Sequence, residues 1–307
     1  MGHGHGPGEP VGTATGEHRR RLVIVLVVCL SVMVLQLVGG VLAGSLALLA
    51  DAGHLLADAA GVGAALVATS LAARPATNAR TFGLLRAEIL AALGNALLLA
   101  GVAGWVVVEA VRRWSDPPDV QPGLMLAVAA VGAAANLGSL LVLRGGQRQS
   151  LNVRGAYLEV LGDLLGSVAV IVAGLVIVTT GYTRADAVAS VAIGAMILPR
   201  AWRLLRDVLD VLLEATPRGV DLDHVRDHIR AVAGVVDVHD LHAWTITSGV
   251  PVLSAHVVVD DDCIATGRSG EVLDRLGECL DGHFDVPHCT FQLEPVGHQA
   301  HEAAHHA

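Results

Sequence analysis

Residues 45–61 read SLALLADAGHLLADAAG, and this stretch decides the fold. It is apolar enough to cross a bilayer, yet Asp51, His54 and Asp58 interrupt it. His54 and Asp58 are spaced i,i+4 and Asp51 precedes His54 by three, so all three fall on one face of a helix. Ionisable groups at membrane depth are costly and mark a functional role by default. A second apolar segment, YLEVLGDLLGSVAV at 157–170, repeats the device with Glu159 and Asp163, again i,i+4. Two rigid helices side by side then offer four ligands, His54, Asp58, Glu159 and Asp163. Four is the number a divalent metal such as zinc takes in tetrahedral geometry. Gly61, Gly63, Gly162 and Gly166 are expected to let the backbones approach closely.

A competing reading makes these groups helix-packing hydrogen bonds, or partners for an arginine. No arginine or lysine is expected within the core of any span, so a metal or bound protons must neutralise the carboxylates. Asp51 reads as a further ligand on the way in, or as a partner that orients His54. For Glu88, Asn95, Asn136 and Asp186, helix packing or interface anchoring is favoured over lining a path.

Around these segments the chain is 53% hydrophobic and 16% charged over 307 residues, against about 25% charged in a typical soluble protein. A spanning helix needs about 20 mostly apolar residues, and segments near 22–43, 45–72, 84–111, 122–143, 156–180 and 184–205 qualify. The first is too long, and has no small-residue cleavage site, to be a removable signal peptide. The net charge of −9 includes no lysine, so arginine reports topology. Arg19, Arg20, Arg21, Arg74, Arg80, Arg86, Arg144, Arg148, Arg154, Arg200, Arg203 and Arg206 flank one side. Arg112, Arg113 and Arg184 flank the other. The positive-inside rule places both termini in the cytoplasm, as expected of an integral protein of the cell (inner or plasma) membrane. No nucleic-acid partner is expected. Cys29, Cys263, Cys279 and Cys289 have no paired spacing, which argues against a disulfide framework or thiolate zinc finger.

Four regions are expected: a disordered His/Gly-rich arm at 1–18, a six-helix transport domain at 19–214, a cytoplasmic α+β domain at 215–296, and a His-rich disordered tail at 297–307. In the α+β domain, VDLDHVRDHIRAVAG has helical spacing, with Val220, Val225, Ile229 and Val232 on one face. Two strands follow, VVDVHDLHAWTITSG and VPVLSAHVVVD, joined at Ser248–Gly249. A second helix, SGEVLDRLGECLDG, and a last strand, CTFQLEP, complete a module whose sheet buries one face under two helices.

LLADAGHLLADAAG and YLEVLGDLLGSVAVIVAG resemble the second and fifth spans of the cation diffusion facilitator family, in its zinc-exporting branch. VHDLHAWTIT and LSAHVVV extend the resemblance through the C-terminal module. It implies six helices plus a ferredoxin-like, metallochaperone-like cytoplasmic domain, a homodimer in the lipid bilayer, and metal efflux exchanged for protons by alternating access. His54, Asp58 and Asp163 match the family's transport-site positions. Glu159 departs, because the zinc-exporting branch carries histidine there. One histidine and three carboxylates leave excess negative charge, and an oxygen donor tilts a site toward harder ions such as Mn²⁺, Fe²⁺ or Co²⁺; Cd²⁺ is a further alternative to zinc. Zinc outranks those harder ions in intrinsic affinity and remains the first expectation. In the cytoplasmic domain the resemblance implies a regulatory zinc site at His239, His256 and Glu294, with His288 as a possible fourth ligand. His242 is expected to pack or hydrogen-bond, and Trp244 to lie in the core. RPATNAR, between spans two and three, has no histidine or carboxylate, so no second metal site is expected there.

Two other classes compete with the transporter reading. His301-Glu302-Ala303-Ala304-His305 matches HExxH, but a zinc protease needs that motif on a buried helix with a third ligand. Here it follows Pro295 and Gly297 with no apolar face to dock, so a non-enzyme is expected. A metal sensor that does not transport would need the cytoplasmic ligands and not the four groups within the spans.

Overall fold

The computed structural model describes residues 12–145, 151–284 and 288–298. The HExxH tail and residues 1–11 of the His/Gly-rich arm lie outside them. Among the described residues, six helices are long and apolar enough to cross a membrane: α1 (Gly12–Ala43), α2 (Leu46–Ala72), α3 (Ala87–Ser115), α4 (Pro122–Arg144), α5 (Leu151–Thr180) and α6 (Arg184–Leu212). Helix α1 begins at Gly12, inside the segment read from sequence as a disordered arm. Large apolar side chains such as Val41, Leu66, Val111, Leu141 and Val172 face outward. Only a hydrocarbon surround makes such a surface favourable, and a helix suits it because every backbone group is satisfied internally. The chain is an integral membrane protein.

The chain divides into two compact units: residues through Ala64 with Gly94–Arg203, and Ala65–Leu93 with everything from Leu204. In the first unit, α4 packs against both α1 and α5. Small residues dominate the buried seam of this unit, including Ala47, Ala50, Ala57, Ala103, Ala129, Ala173 and Ala189, which lets helices pack closely without a hydrophobic driving force. Gly44 (φ +67°) makes the reversal between α1 and α2. The first turn of α2 is capped from across the fold: Asp186 of α6 accepts from Ser45 Oγ (2.6 Å) and from the backbone N–H groups of Leu46 (2.7 Å) and Ala47 (3.2 Å). A carboxylate here satisfies orphan donors at the positive end of a helix. Asp186 is therefore a packing anchor.

In the second unit, α7 (Leu222–Arg230), β1 (Val235–Thr247), β2 (Val250–Val259), the single turn α8 (Asp261–Ala265), α9 (Ser269–Phe284) and β3 (His288–Pro295) form the α+β module. Asp221 caps α7 through the N–H groups of Asp223 and His224. The sheet order is β1-β2-β3, with β1 antiparallel and β3 parallel to β2. Gly249 (φ +74°) turns the hairpin at the site read from sequence. Val225 and Ile229 pack with Val238, Leu253, Ala255, Val257 and Leu276, so the amphipathic stripe does meet the sheet. Trp244 is only half-buried and lines a cleft with Phe82 and Ile246. Glu88, at the start of α3, accepts a hydrogen bond from Thr247 Oγ1 at 2.6 Å.

Candidate metal centres

The apolar periodicity of α2 and α5 makes them helices, and the i,i+4 spacing then aims their ionisable groups the same way. His54 is central. Its Nε2 lies 3.6 Å from Asp58 Oδ2 and 3.8 Å from Asp163 Oδ1. All three side chains are largely buried, Asp163 almost completely. Among the described residues, His54 Nδ1, Asp58 Oδ1 and Asp163 Oδ1 find no hydrogen-bond partner. Buried polar atoms left so are expensive, and their lone pairs are of the kind that can hold a cation. The donors do not close to the tight mutual spacing of the cytoplasmic group described below.

Glu159 is held elsewhere. Its Oε1 accepts from Arg200 Nη2 at 2.5 Å, while Arg200 Nη1 donates to Asp58 Oδ2 at 3.2 Å. The sequence expectation that no arginine neutralises these carboxylates is therefore corrected. The sequence reading sets Arg200 among the arginines that flank the spans, yet α6 continues to Leu212 and carries it on the helix. The available signal was its number, which falls inside the apolar segment 184–205. Pro199 beside it removes one backbone donor from the α6 ladder.

Asp51 belongs to a different cluster. Gln36 Nε2 donates to its Oδ2 at 2.6 Å, and both residues are fully buried. It does not orient His54. Of the four glycines expected to admit close approach, Gly61 faces the Asn95 amide and Gly166 faces the Asp51 carboxylate, whereas Gly63 and Gly162 border open space.

The second centre lies in the α+β module. Antiparallel pairing sets His239 opposite His256, and the parallel register sets Glu294 opposite Val258, two residues beyond His256 on β2. Residues two apart on a strand share a face, so the three side chains meet. His239 Nε2 is 3.1 Å from Glu294 Oε2, and His256 Nδ1 is 2.8 Å from Glu294 Oε1. Among the described residues these three are the one group whose donor atoms all lie within 4.8 Å of each other. Two imidazoles and a carboxylate suit zinc. Gln292 Nε2 donates to Glu294 Oε1 at 2.8 Å and orients it.

His288 is not brought to this group. It pairs with Val252 at the far end of β3, and its ring meets Phe82 edge-on with centroids 5.8 Å apart. At about 3.3 Å per strand residue, His288 and Glu294 are roughly 20 Å apart along β3. Sequence reasoning missed Asp240. It sits in the irregularity between His239 and His242 with φ +50°. Its carboxylate lies 2.9 Å from His242 Nε2 and 3.8 Å from His256 Nε2. Outside the spans, the Asp237 carboxyl is held below its ordinary range, first by the Arg230 side chain and then by the Val238 N–H.

Six membrane-spanning helices that carry buried ionisable groups, followed by an α+β module with a His-His-Glu cluster, define a polytopic cation transporter. Residues 22–213 match the family described as the cation efflux transmembrane domain, and residues 217–296 match the cation efflux protein, cytoplasmic domain. The chain belongs to this family, the cation diffusion facilitators, whose members are transporters and not enzymes. It is 44% identical over 306 residues to the metal cation efflux system protein CzcD of Cupriavidus metallidurans, covering 100% of this chain and 94% of that one. It is 41% identical over 280 residues to the zinc transporter ZitB of Escherichia coli, covering 91% and 88%. It is 36% identical over 300 residues to the cadmium, cobalt and zinc/H(+)-K(+) antiporter of Bacillus subtilis, covering 97% and 93%.

Proposed function

We propose that this protein exports a divalent transition metal, zinc first, from the cytoplasm across the cell membrane in exchange for protons. The observation that carries this is the group of buried, unpartnered donors on His54, Asp58 and Asp163 within apolar helices. The relatives' names support the substrate class, since each is called a metal cation, zinc, or cadmium, cobalt and zinc transporter.

Asp58, Asp163, Glu159 and a neutral His54 bind the metal while the site faces the cytoplasm, where the arginine distribution puts both termini. Metal ligands must be deprotonated, so protons compete for the same atoms once the site faces outward. Proton binding expels the metal, and the protonated carrier returns. Glu159 supplies oxygen where the zinc-exporting branch has nitrogen, which favours some transport of Co²⁺, Mn²⁺ or Fe²⁺ beside zinc. The protein works as a homodimer through its cytoplasmic domains. Zinc held there by His239, His256 and Glu294 biases the conformational equilibrium of the carrier.

The test is metal-driven proton flux in proteoliposomes with Zn²⁺, Co²⁺ and Mn²⁺. Asp163→Ala should abolish flux with every metal, and flux at the wild-type level in that variant sinks the site. Glu159→His should narrow the range toward zinc.

A further inference from the structure

The sixth helix contributes a group that the two-helix donor set does not require. Arg200 bridges Asp58 on α2 and Glu159 on α5, with one guanidinium nitrogen on each carboxylate. The two contacts differ in setting: Asp58 is about four-fifths buried, whereas Glu159 and Arg200 are 48% and 36% exposed. Asp58 Oδ2, moreover, faces Arg200 at 3.2 Å and His54 Nε2 at 3.6 Å. A metal seated between His54 and Asp58 must contend with the guanidinium for that same oxygen.

From this we propose that Arg200 is a tethered counter-cation that competes with the transported metal for Asp58 and Glu159. Metal binding displaces it, and its return helps to expel the metal and reset the site. The inference rests on the transport-site reading above. It follows from charge and reach. An arginine cannot lose its proton under physiological conditions, so only movement can remove its charge from the site. The long side chain is partly exposed at the protein surface, and its flexible stem lets the charged head move while the helix stays in place. No covalent step is involved, and the exchange is one divalent cation for one positive side chain plus protons.

The competition predicts a split between affinity and turnover. Removing a merely structural arginine would raise the half-saturating metal concentration, or leave it unchanged, and lower the rate. Removing a competitor lowers both. In Zn²⁺-driven flux with the full-length protein in proteoliposomes, Arg200→Gln should lower the KM for Zn²⁺ by about tenfold or more. Close charge pairs commonly couple at that level. The maximal rate should fall as metal release slows. Arg200→Lys, which keeps the charge, should return KM toward wild type. In a Glu159→Gln background, Arg200→Gln should change KM less, because one of the two contested carboxylates is gone. An unchanged or raised KM in Arg200→Gln, or Arg200→Lys behaving like Arg200→Gln, overturns the proposal. Asp163→Ala run in parallel separates the two failures. If it abolishes flux and Arg200→Gln does not lower KM, only the competitor role is lost. If Asp163→Ala transports normally, the site itself is misplaced.

Discussion

Replacing Asp186 by alanine should damage the fold and leave the ion chemistry intact. Asp186 is 2% exposed and accepts three hydrogen bonds at the start of α2, from Ser45 Oγ, Leu46 N and Ala47 N. Arg113 Nη1 lies 3.8 Å away but keeps Glu109 at 3.1 Å and the Gly44 carbonyl at 2.6 Å. Its charge is therefore not stranded. The Ser45 hydroxyl can turn toward another acceptor. The two backbone N–H groups cannot, because the helix fixes their direction. Each buried donor left without an acceptor costs about 1–3 kcal/mol, so Asp186→Ala should destabilise by about 2–6 kcal/mol. Asp186→Asn keeps an acceptor oxygen and should lose less than half of that. The assay is thermal unfolding of the purified protein in detergent micelles, beside Zn²⁺ flux at a temperature where each variant is folded. Both variants should show lowered melting temperatures, alanine more than asparagine, with wild-type KM for Zn²⁺ and wild-type order among metals. A stable Asp186→Ala protein with an altered KM would place this carboxylate on the ion path and refute the capping role.

Two glycines expected from sequence to be equivalent should differ. Gly166→Ala would set its Cβ 2.7 Å from Asp51 Oδ1, and the overpacking should cost about 1–3 kcal/mol, read as a lowered melting temperature. Gly63→Ala meets nothing within 4 Å and should be neutral, or stabilising by up to about 1 kcal/mol through helix propensity. A pH effect is expected from Asp237. Its folded carboxyl titrates below the unfolded one because Arg230 and the Val238 N–H favour its charged form. The contribution is present above the unfolded value and is lost as pH falls through the lower, folded value. Both groups are nearly half exposed, so Arg230→Ala should remove only a few tenths of a kcal/mol at neutral pH. The difference between the variant and wild type should vanish in acid, as measured by denaturant midpoints against pH.

How much of this was legible beforehand depends on the range of the interaction. All six spans were readable because a bilayer imposes a length and a polarity on each helix separately. The i,i+4 spacing of His54 with Asp58, and of Glu159 with Asp163, is likewise a property of one helix at a time. The order of the α+β module and the hairpin turn at Gly249 followed from local periodicity and turn chemistry. His239, His256 and Glu294 came from resemblance, and the strand register explains why they meet.

What the chain order does not encode locally is which faces meet. Arg200 is far in sequence from both Asp58 and Glu159, and only the packing of α6 beside α2 and α5 makes it their partner. Asp51 looks like a neighbour of His54 along the helix, yet the placement of α1 turns it to Gln36. His288 shares a strand with Glu294, but extended backbone separates them, and the exposed histidine meets Phe82 edge-on instead. Asp240 reaches His242 and His256 because the irregularity in β1 re-aims its side chain, and no periodicity announces a bulge. The sequence by itself determined the helices, their membrane setting and the types of ionisable side chain they carry. The tertiary structure decided which of those side chains meet, because electrostatic partners are chosen by distance in space and the chain constrains only its near neighbours.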